Sequence, residues 1–179
     1  MKYIYGLRIA GGDCRYIGQT NNMRRRLRQI LSNIGNNQLV EDWVKRHEGE
    51  IEQYLIQECQ DDEADMCEKT HIFHHRSNGF ALLNIHDGGR PCKTGWAYYI
   101  DKLRQIRDHW TECQETHPAE PEDIALIHRL VGMTETQGLT LANDRRQWQA
   151  KMKKQLKHKI KQWRKAKKKR TFRKSKGSR

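Results

Sequence analysis

No stretch of this chain stays apolar for the roughly 18 residues that a membrane-spanning helix requires. Met1 to Ala10 also lacks the apolar segment of a secretory signal. The expectation is therefore neither an integral membrane protein nor a signal-peptide export substrate, but a cytoplasmic chain, nucleoid-associated or phage-encoded. There is no Cys-x-x-Cys pair. The five cysteines (Cys14, Cys59, Cys67, Cys92, Cys113) are widely spaced and odd in number, which argues for reduced thiols over a disulfide framework. Cys67 and His71 stand at i, i+4 spacing with His74 and His75 nearby, but two further well-placed zinc ligands are not apparent. Hydrophobic residues are scarce as well, at 35% against 32% charged, with a mean hydropathy of -1.04. Over 179 residues this allows one ordinary domain plus an appendage, with a core that does not run the whole length.

Acidic residues are missing from one region altogether. Of the 35 Lys and Arg, 18 fall in residues 145–179, where Asp and Glu do not occur. The remaining 17 face all 22 acids, so the body carries about −5 and the tail about +18. A charge so segregated points to an arm for a polyanion, nucleic acid first; the plain alternative is a solvated helix or solubility tail.

The patterning of the first ninety residues alternates between periods. Lys2 to Arg8 and Arg15 to Gln19 suit two strands joined through Gly11, Gly12 and Asp13 as a hairpin. Thr20, Asn21 and Asn22 offer an N-cap, after which Met23, Leu27, Ile30 and Leu31 share a helix face. Arg24, Arg25 and Arg28 point elsewhere, and Arg26 flanks the apolar stripe. Leu39 to Val44 mark a second helix, Ile51 to Cys59 a third strand, and Asp61 and Asp62 cap a third helix that runs to about Arg76. Phe80 to Ile85 returns as an irregular apolar segment. The expected class is α+β, in the order ββααβα.

Past Pro91 the pattern becomes helical. Tyr99, Leu103, Ile106, Trp110 and Cys113 form one amphipathic stripe, and Ile124 to Val131 a shorter helix. Trp148, Met152, Leu156, Ile160 and Trp163 form a second stripe, on a basic helix. The stretch from Lys168 carries no pattern and is expected to be disordered when free. The expected division is 1–92, a connector at 93–144, and a basic arm at 145–179. Nothing in the sequence sets an oligomeric state.

Chemistry concentrates in the first unit. Glu68 lies on an inward row of the third helix between Ala64 and Ile72, where a carboxylate requires a cation. Tyr5 and Tyr16 sit on adjacent strands and Arg26 on the next helix. Two phenols, a guanidinium and a carboxylate brought together would fit phosphodiester cleavage. The carboxylate would hold a hard divalent ion, and the ion and Arg26 would stabilise charge on phosphorus. A phenol would take or relay a water proton, if the site lowers its pKa.

Tyr3-Ile4-Tyr5, Tyr16-Ile17-Gly18, Arg26, Glu68 and Asn84, in that order, resemble the GIY-YIG nuclease family. Leu83-Asn84-Ile85 followed by Gly88-Gly89 looks like the family's closing segment. The resemblance covers about residues 1–90. It implies a small α/β sandwich around a three-stranded antiparallel sheet. Tyr5 would be the general base, Tyr16 would position phosphate or water, and Gly18 would permit close backbone approach. Arg26 would neutralise the phosphate, Glu68 would be the one protein ligand of Mg²⁺ or Mn²⁺, and Asn84 would support the site by hydrogen bonding. The products would carry 5′-phosphate and 3′-hydroxyl ends. Tyr3 replaces the family's common Gly, and Ile30 stands where some members carry a His. Further phosphate contacts are expected from Arg24, Arg25, Lys153, Lys157, Lys161, Arg164 and Lys168. The reading is a divalent-metal-dependent DNA endonuclease of homing, phage or mobile-element type with a basic DNA-binding arm. The alternative is a catalytically inactive or RNA-directed nucleic-acid-binding protein on the same fold.

Overall fold

A computed structural model describes residues 1–32, 37–88 and 96–134, and beyond them 136–138, 140–141, 143–144, 147, 150–151, 154–155 and 158, which are helical. The chain divides into two compact units, Met1–Gly138 and Leu139–Arg179. The first unit is α+β. Strands β1 (Lys2–Ile9), β2 (Tyr16–Thr20) and β3 (Ile51–Cys59) form one antiparallel sheet in the order β2-β1-β3. Helices α1 (Met23–Leu31) and α2 (Gln38–Arg46) follow β2, and α3 (Ala64–Ser77) follows β3. The ββααβα order expected from the sequence is the one observed.

The register explains which side chains meet. β1 pairs with β2 so that Tyr5 faces Gly18 and Ile4 faces Gln19. Side chains alternate between the faces of a strand. Ile4, Ile17 and Gln19 therefore share one face, and Tyr5, Tyr16 and Gly18 the other. The first face is closed by α3, through a cluster of Ile4, Cys14, Ile17, Cys59, Ala64, Ile72 and Leu82. On the second face Tyr5 and Leu7 are fully buried, and α1 reaches Tyr5 through Arg26. In α1 only Ile30 is buried, and Leu31 is largely exposed.

The caps are not all where the pattern puts them. Asn22 caps α1 and Asn37 caps α2, each accepting a backbone N–H through its side chain. Asp61 and Asp62 do not cap α3. That helix begins after Glu63, which makes no capping bond, and the two aspartates sit in the preceding turn. Asp61 is drawn instead to the Met1 amine, 2.9 Å away.

The segment Ala81–Ile85 has no regular secondary structure, yet it is buried and runs along the free edge of β2. Leu83 N donates to Arg15 O at 2.6 Å. Asn84 then uses both ends of its amide on one residue: Ile17 N donates to Oδ1 at 2.9 Å, and Nδ2 donates to Ile17 O at 2.7 Å. A side chain thus does here what a fourth strand's backbone would do, and the edge is closed to further pairing.

The compact unit extends beyond the expected limit at 92. Helices α4 (Trp96–Glu112) and α5 (Pro121–Val131) share its core, burying Ile100, Leu103, Ile106, Trp110, Leu126, Ile127 and Leu130. Pro121 is the first residue of α5, where its fixed φ and missing N–H suit a helix start. Beside this apolar packing, a set of ion pairs that the hydrophobic pattern does not report ties the start of α5 to Arg15 and to the end of α2. Arg15 Nη2 donates to Asp123 Oδ2 at 2.5 Å, with both side chains almost without solvent. Arg46 contacts Asp42, Asp123 and Glu120, and His47 lies 2.9 Å from Glu120. Trp148, Met152, Leu156, Ile160 and Trp163, with the stretch from Lys168, lie outside the described residues.

Candidate active site

An open cleft of about 560 Å³ is lined by Lys2, Tyr5, Tyr16, Gln19, Arg26, Asp61, Asp62, Asp65 and Glu68. Four residues singled out by sequence (Tyr5, Tyr16, Arg26 and Glu68) meet here from four different elements. The cleft straddles β2. Tyr5, Tyr16 and Arg26 enter from one face of the sheet, Gln19 and Glu68 from the other.

On the first face, Arg26 Nε donates to Tyr5 Oη at 2.9 Å. The same guanidinium also acts electrostatically on the Tyr16 hydroxyl, so one cation influences both phenols. The tyrosine rings lie tilted with centroids 6.3 Å apart. Gly18 is the condition for this arrangement. A Cβ there would lie 2.6 Å from Tyr5 Oη and 2.8 Å from Tyr5 Cζ. The close approach anticipated at Gly18 is therefore made by the Tyr5 phenol, and Gly18 is buried beneath it.

The phenols are not poised as free bases. Burial pushes the Tyr5 hydroxyl well above its ordinary value, neighbouring Tyr16 adds to the rise, and Arg26 offsets only part of it. Tyr16 is raised by burial in the same way. Both hydroxyls keep their protons at neutral pH. The condition set for a phenol acting as a free base, a lowered pKa, is not met at Tyr5, because desolvation outweighs one guanidinium.

On the second face, Glu68 is buried at 9% exposure. Gln19 joins it to its neighbours: Gln19 Nε2 lies 3.0 Å from Glu68 Oε2 and 2.7 Å from Asp65 Oδ1, and Lys2 Nζ donates to Gln19 Oε1 at 3.2 Å. Sequence reasoning missed Gln19, Lys2 and Asp65. The signal for Gln19 was its parity: three residues after Tyr16, it had to face α3. Asp65 stands one turn before Glu68, at i, i+3.

The other expected residues lie apart. Asn84 is buried outside the cleft and acts on Ile17, between Tyr16 and Gly18, so it fixes the strand rather than touching a reacting group. Arg24 and Arg25 are exposed on α1, and Ile30 is fully in the core. Lys153, Lys157, Lys161, Arg164 and Lys168 lie outside the described residues. The histidines of α3 do not gather around Cys67: His71 bonds Gln57 at 2.8 Å and His75 bonds the His71 carbonyl. Among the described residues no three His, Cys, Asp or Glu side chains converge as a ready cation cage.

The donor set of the cleft nevertheless suits a hard divalent ion. Glu68 and Asp65 offer carboxylate oxygens, and neither a thiol nor an imidazole lines the cleft. Mg²⁺ commonly keeps several waters and takes only one or two carboxylates, so an open cleft with one buried carboxylate matches its habits better than a closed cage. Four acids face two cations across the cleft, a balance that repels phosphate until positive charge is added. Among the described residues no helix is long and apolar enough to cross a membrane. No protein-family model, curated protein or solved structure matches the chain.

Proposed function

We propose that this chain is a divalent-metal-dependent endonuclease of GIY-YIG type that hydrolyses DNA phosphodiester bonds, with the basic region 145–179 as its DNA-binding arm. The observation that carries this reading is the Arg26–Tyr5 hydrogen bond in a polar cleft that also holds Tyr16 and Glu68.

Arg26 is the cation that meets the scissile phosphate, and its hydrogen bond to Tyr5 fixes where that phosphate sits. Tyr5 Oη holds a proton, so it takes one from an attacking water only while passing its own to a phosphate oxygen. A relay fits the raised pKa better than a standing phenolate. The water oxygen bonds to phosphorus, the bond to the 3′ oxygen breaks as that oxygen takes a proton from solvent, and the ends are 5′-phosphate, which returns a proton to solvent, and 3′-hydroxyl. Mg²⁺ or Mn²⁺ on Glu68 would supply the positive charge that the cleft lacks and acidify a bound water. The arm's 18 basic residues would hold the DNA backbone without reading sequence.

The test is incubation of the full chain with supercoiled plasmid and, separately, structured RNA, with Mg²⁺ and with EDTA. Nicked or linear plasmid that requires Mg²⁺ is the expected result. Binding of either polymer without cleavage would favour the non-catalytic alternative, and cut RNA beside intact plasmid the RNA-directed one.

A further inference from the structure

We infer that Gln19 is the positioning residue of the carboxylate pair, and that Lys2 fixes the direction in which its amide points; this rests on the nuclease reading above. A glutamine amide has one accepting end and one donating end. Lys2 is only a donor, and it lies on the oxygen end at 3.2 Å. The amide nitrogen is thereby turned toward the acids, with one N–H for Glu68 Oε2 and the other for Asp65 Oδ1. The chain of partners runs from cation to amide to two carboxylates, and both amide N–H groups have an acceptor.

The geometry gives this chain a purpose beyond packing. Glu68 and Asp65 lie one turn apart on α3, so their negative charges repel at short range. An amide between them relieves that repulsion without consuming charge, as a lysine in its place would. The neutral amide adds no positive charge of its own, so acids still outnumber cations in the cleft lining. Gln19 also arrives from β2, the strand that carries Tyr16 and Gly18. It ties α3 and its carboxylates to the strand that places the phenols, so the two halves of the cleft keep one spacing. Removing a hydrogen-bond partner of a metal-binding carboxylate commonly costs 10–100-fold in metal affinity.

The experiment is a Mn²⁺ titration of the full chain followed by water-proton relaxation, which reads metal binding without cleavage. It compares the parent protein with Glu68→Gln, Gln19→Leu and Lys2→Met. Glu68→Gln should remove the binding. Gln19→Leu should weaken it by about 10-fold or more, and Lys2→Met by less, because the amide keeps its place but loses its orientation. In cleavage assays, Gln19→Leu should regain most of its kcat at high Mg²⁺ whereas Glu68→Gln should not, which separates lost positioning from a lost ligand. If Gln19→Leu does not fold, Lys2→Met alone still carries the test. A Gln19→Leu or Lys2→Met protein with parental Mn²⁺ affinity, or Gln19→Leu activity that no Mg²⁺ concentration restores, overturns the assignment while leaving the nuclease reading intact. A parent protein that neither binds Mn²⁺ through Glu68 nor cleaves DNA overturns both.

Discussion

The unit Met1–Gly138 holds two clusters of charge, and β2 stands between them. Arg15, just before the strand, points into a closed cluster with Asp123 of α5, and the Asp123 side chain has no exposure at all. Tyr16 and Gln19, on the strand itself, enter the open cleft. Both clusters combine arginine with several carboxylates. They differ in access and in balance. In the closed cluster Asp123 meets two guanidiniums, and the Arg15 guanidinium also lies 5.9 Å over the Trp110 ring. In the cleft, four acids outnumber two cations and the space is open to solvent. A buried charge is thus no mark of a site by itself; a charge imbalance open to solvent is.

Breaking each cluster in turn should give opposite phenotypes. Glu68→Gln should abolish Mg²⁺-dependent cleavage and leave the melting temperature nearly unchanged. Asp123→Ala should do the reverse, lowering stability by about 3–5 kcal/mol, because two guanidiniums lose their buried counter-ion. Thermal unfolding and plasmid cleavage on the same preparations check both. If Asp123→Ala melts like the parent, the closed cluster is not what holds α5 to the sheet.

Arg26 belongs to both descriptions, since it is half-buried and also lines the cleft. Arg26→Ala should cost on the order of 2–4 kcal/mol in transition-state stabilisation, the range for one preorganised donor. Single-turnover cleavage rates measure it. The same substitution at Arg24 or Arg25, both exposed on α1, should weaken DNA binding modestly and leave the chemical step alone.

The two clusters were not equally legible in the sequence. The cleft was, in large part, because its members sit on elements with clear periods. Alternation puts Tyr5 and Gly18 opposite each other, and the row Ala64, Glu68, Ile72 turns a carboxylate inward. Hidden were the residues that serve those members. Gln19 and Lys2 look like ordinary polar strand positions until the pairing of β1 with β2 brings them together. The closed cluster was invisible, since Arg15 and Asp123 are 108 positions apart and neither breaks a local pattern. For that reason α4 and α5 read as a connector when they are part of the core. Asn84 was visible as a residue but not in its role, because a side chain standing in for a strand's backbone leaves no periodic trace.

Gly18→Ala tests the cleft from beneath. The new methyl would sit 2.6 Å from Tyr5 Oη and 2.8 Å from Tyr5 Cζ, closer than atoms tolerate. Tyr5 is fully buried and cannot swing aside freely, so the cost should be about 1–3 kcal/mol of stability. Activity should fall further than stability does, because the displaced phenol carries Arg26 with it. Adding Tyr5→Phe to Gly18→Ala should recover part of the stability and none of the activity. The oxygen contact is relieved in that double variant, while the ring-carbon contact remains.

The smallest effect separates the clusters by pH. Burial favours the protonated form of Glu120, but hydrogen bonds from His47 and Arg46 outweigh it and hold the carboxyl below its ordinary value. The unfolded chain therefore binds a proton at a higher pH than the folded one does. Stability from Glu120 is fully present above the ordinary glutamate range, near pH 4.5, and is lost as pH falls through the lower folded value. Tyr5 has the opposite sign on the alkaline side. Its folded hydroxyl keeps a proton above the ordinary value of 10.0, so stability declines as pH rises beyond that point. Glu120→Gln should flatten the acid limb of the stability profile, by on the order of 1 kcal/mol or less, and leave the alkaline limb alone. Tyr5→Phe should flatten the alkaline limb and leave the acid one. Chemical denaturation from about pH 3 to pH 11 reads both limbs in one series, within the window set by ordinary glutamate and tyrosine values. An acid limb that responded equally to both substitutions would mean that the closed cluster and the cleft titrate as one body, and the contrast drawn between them would fail.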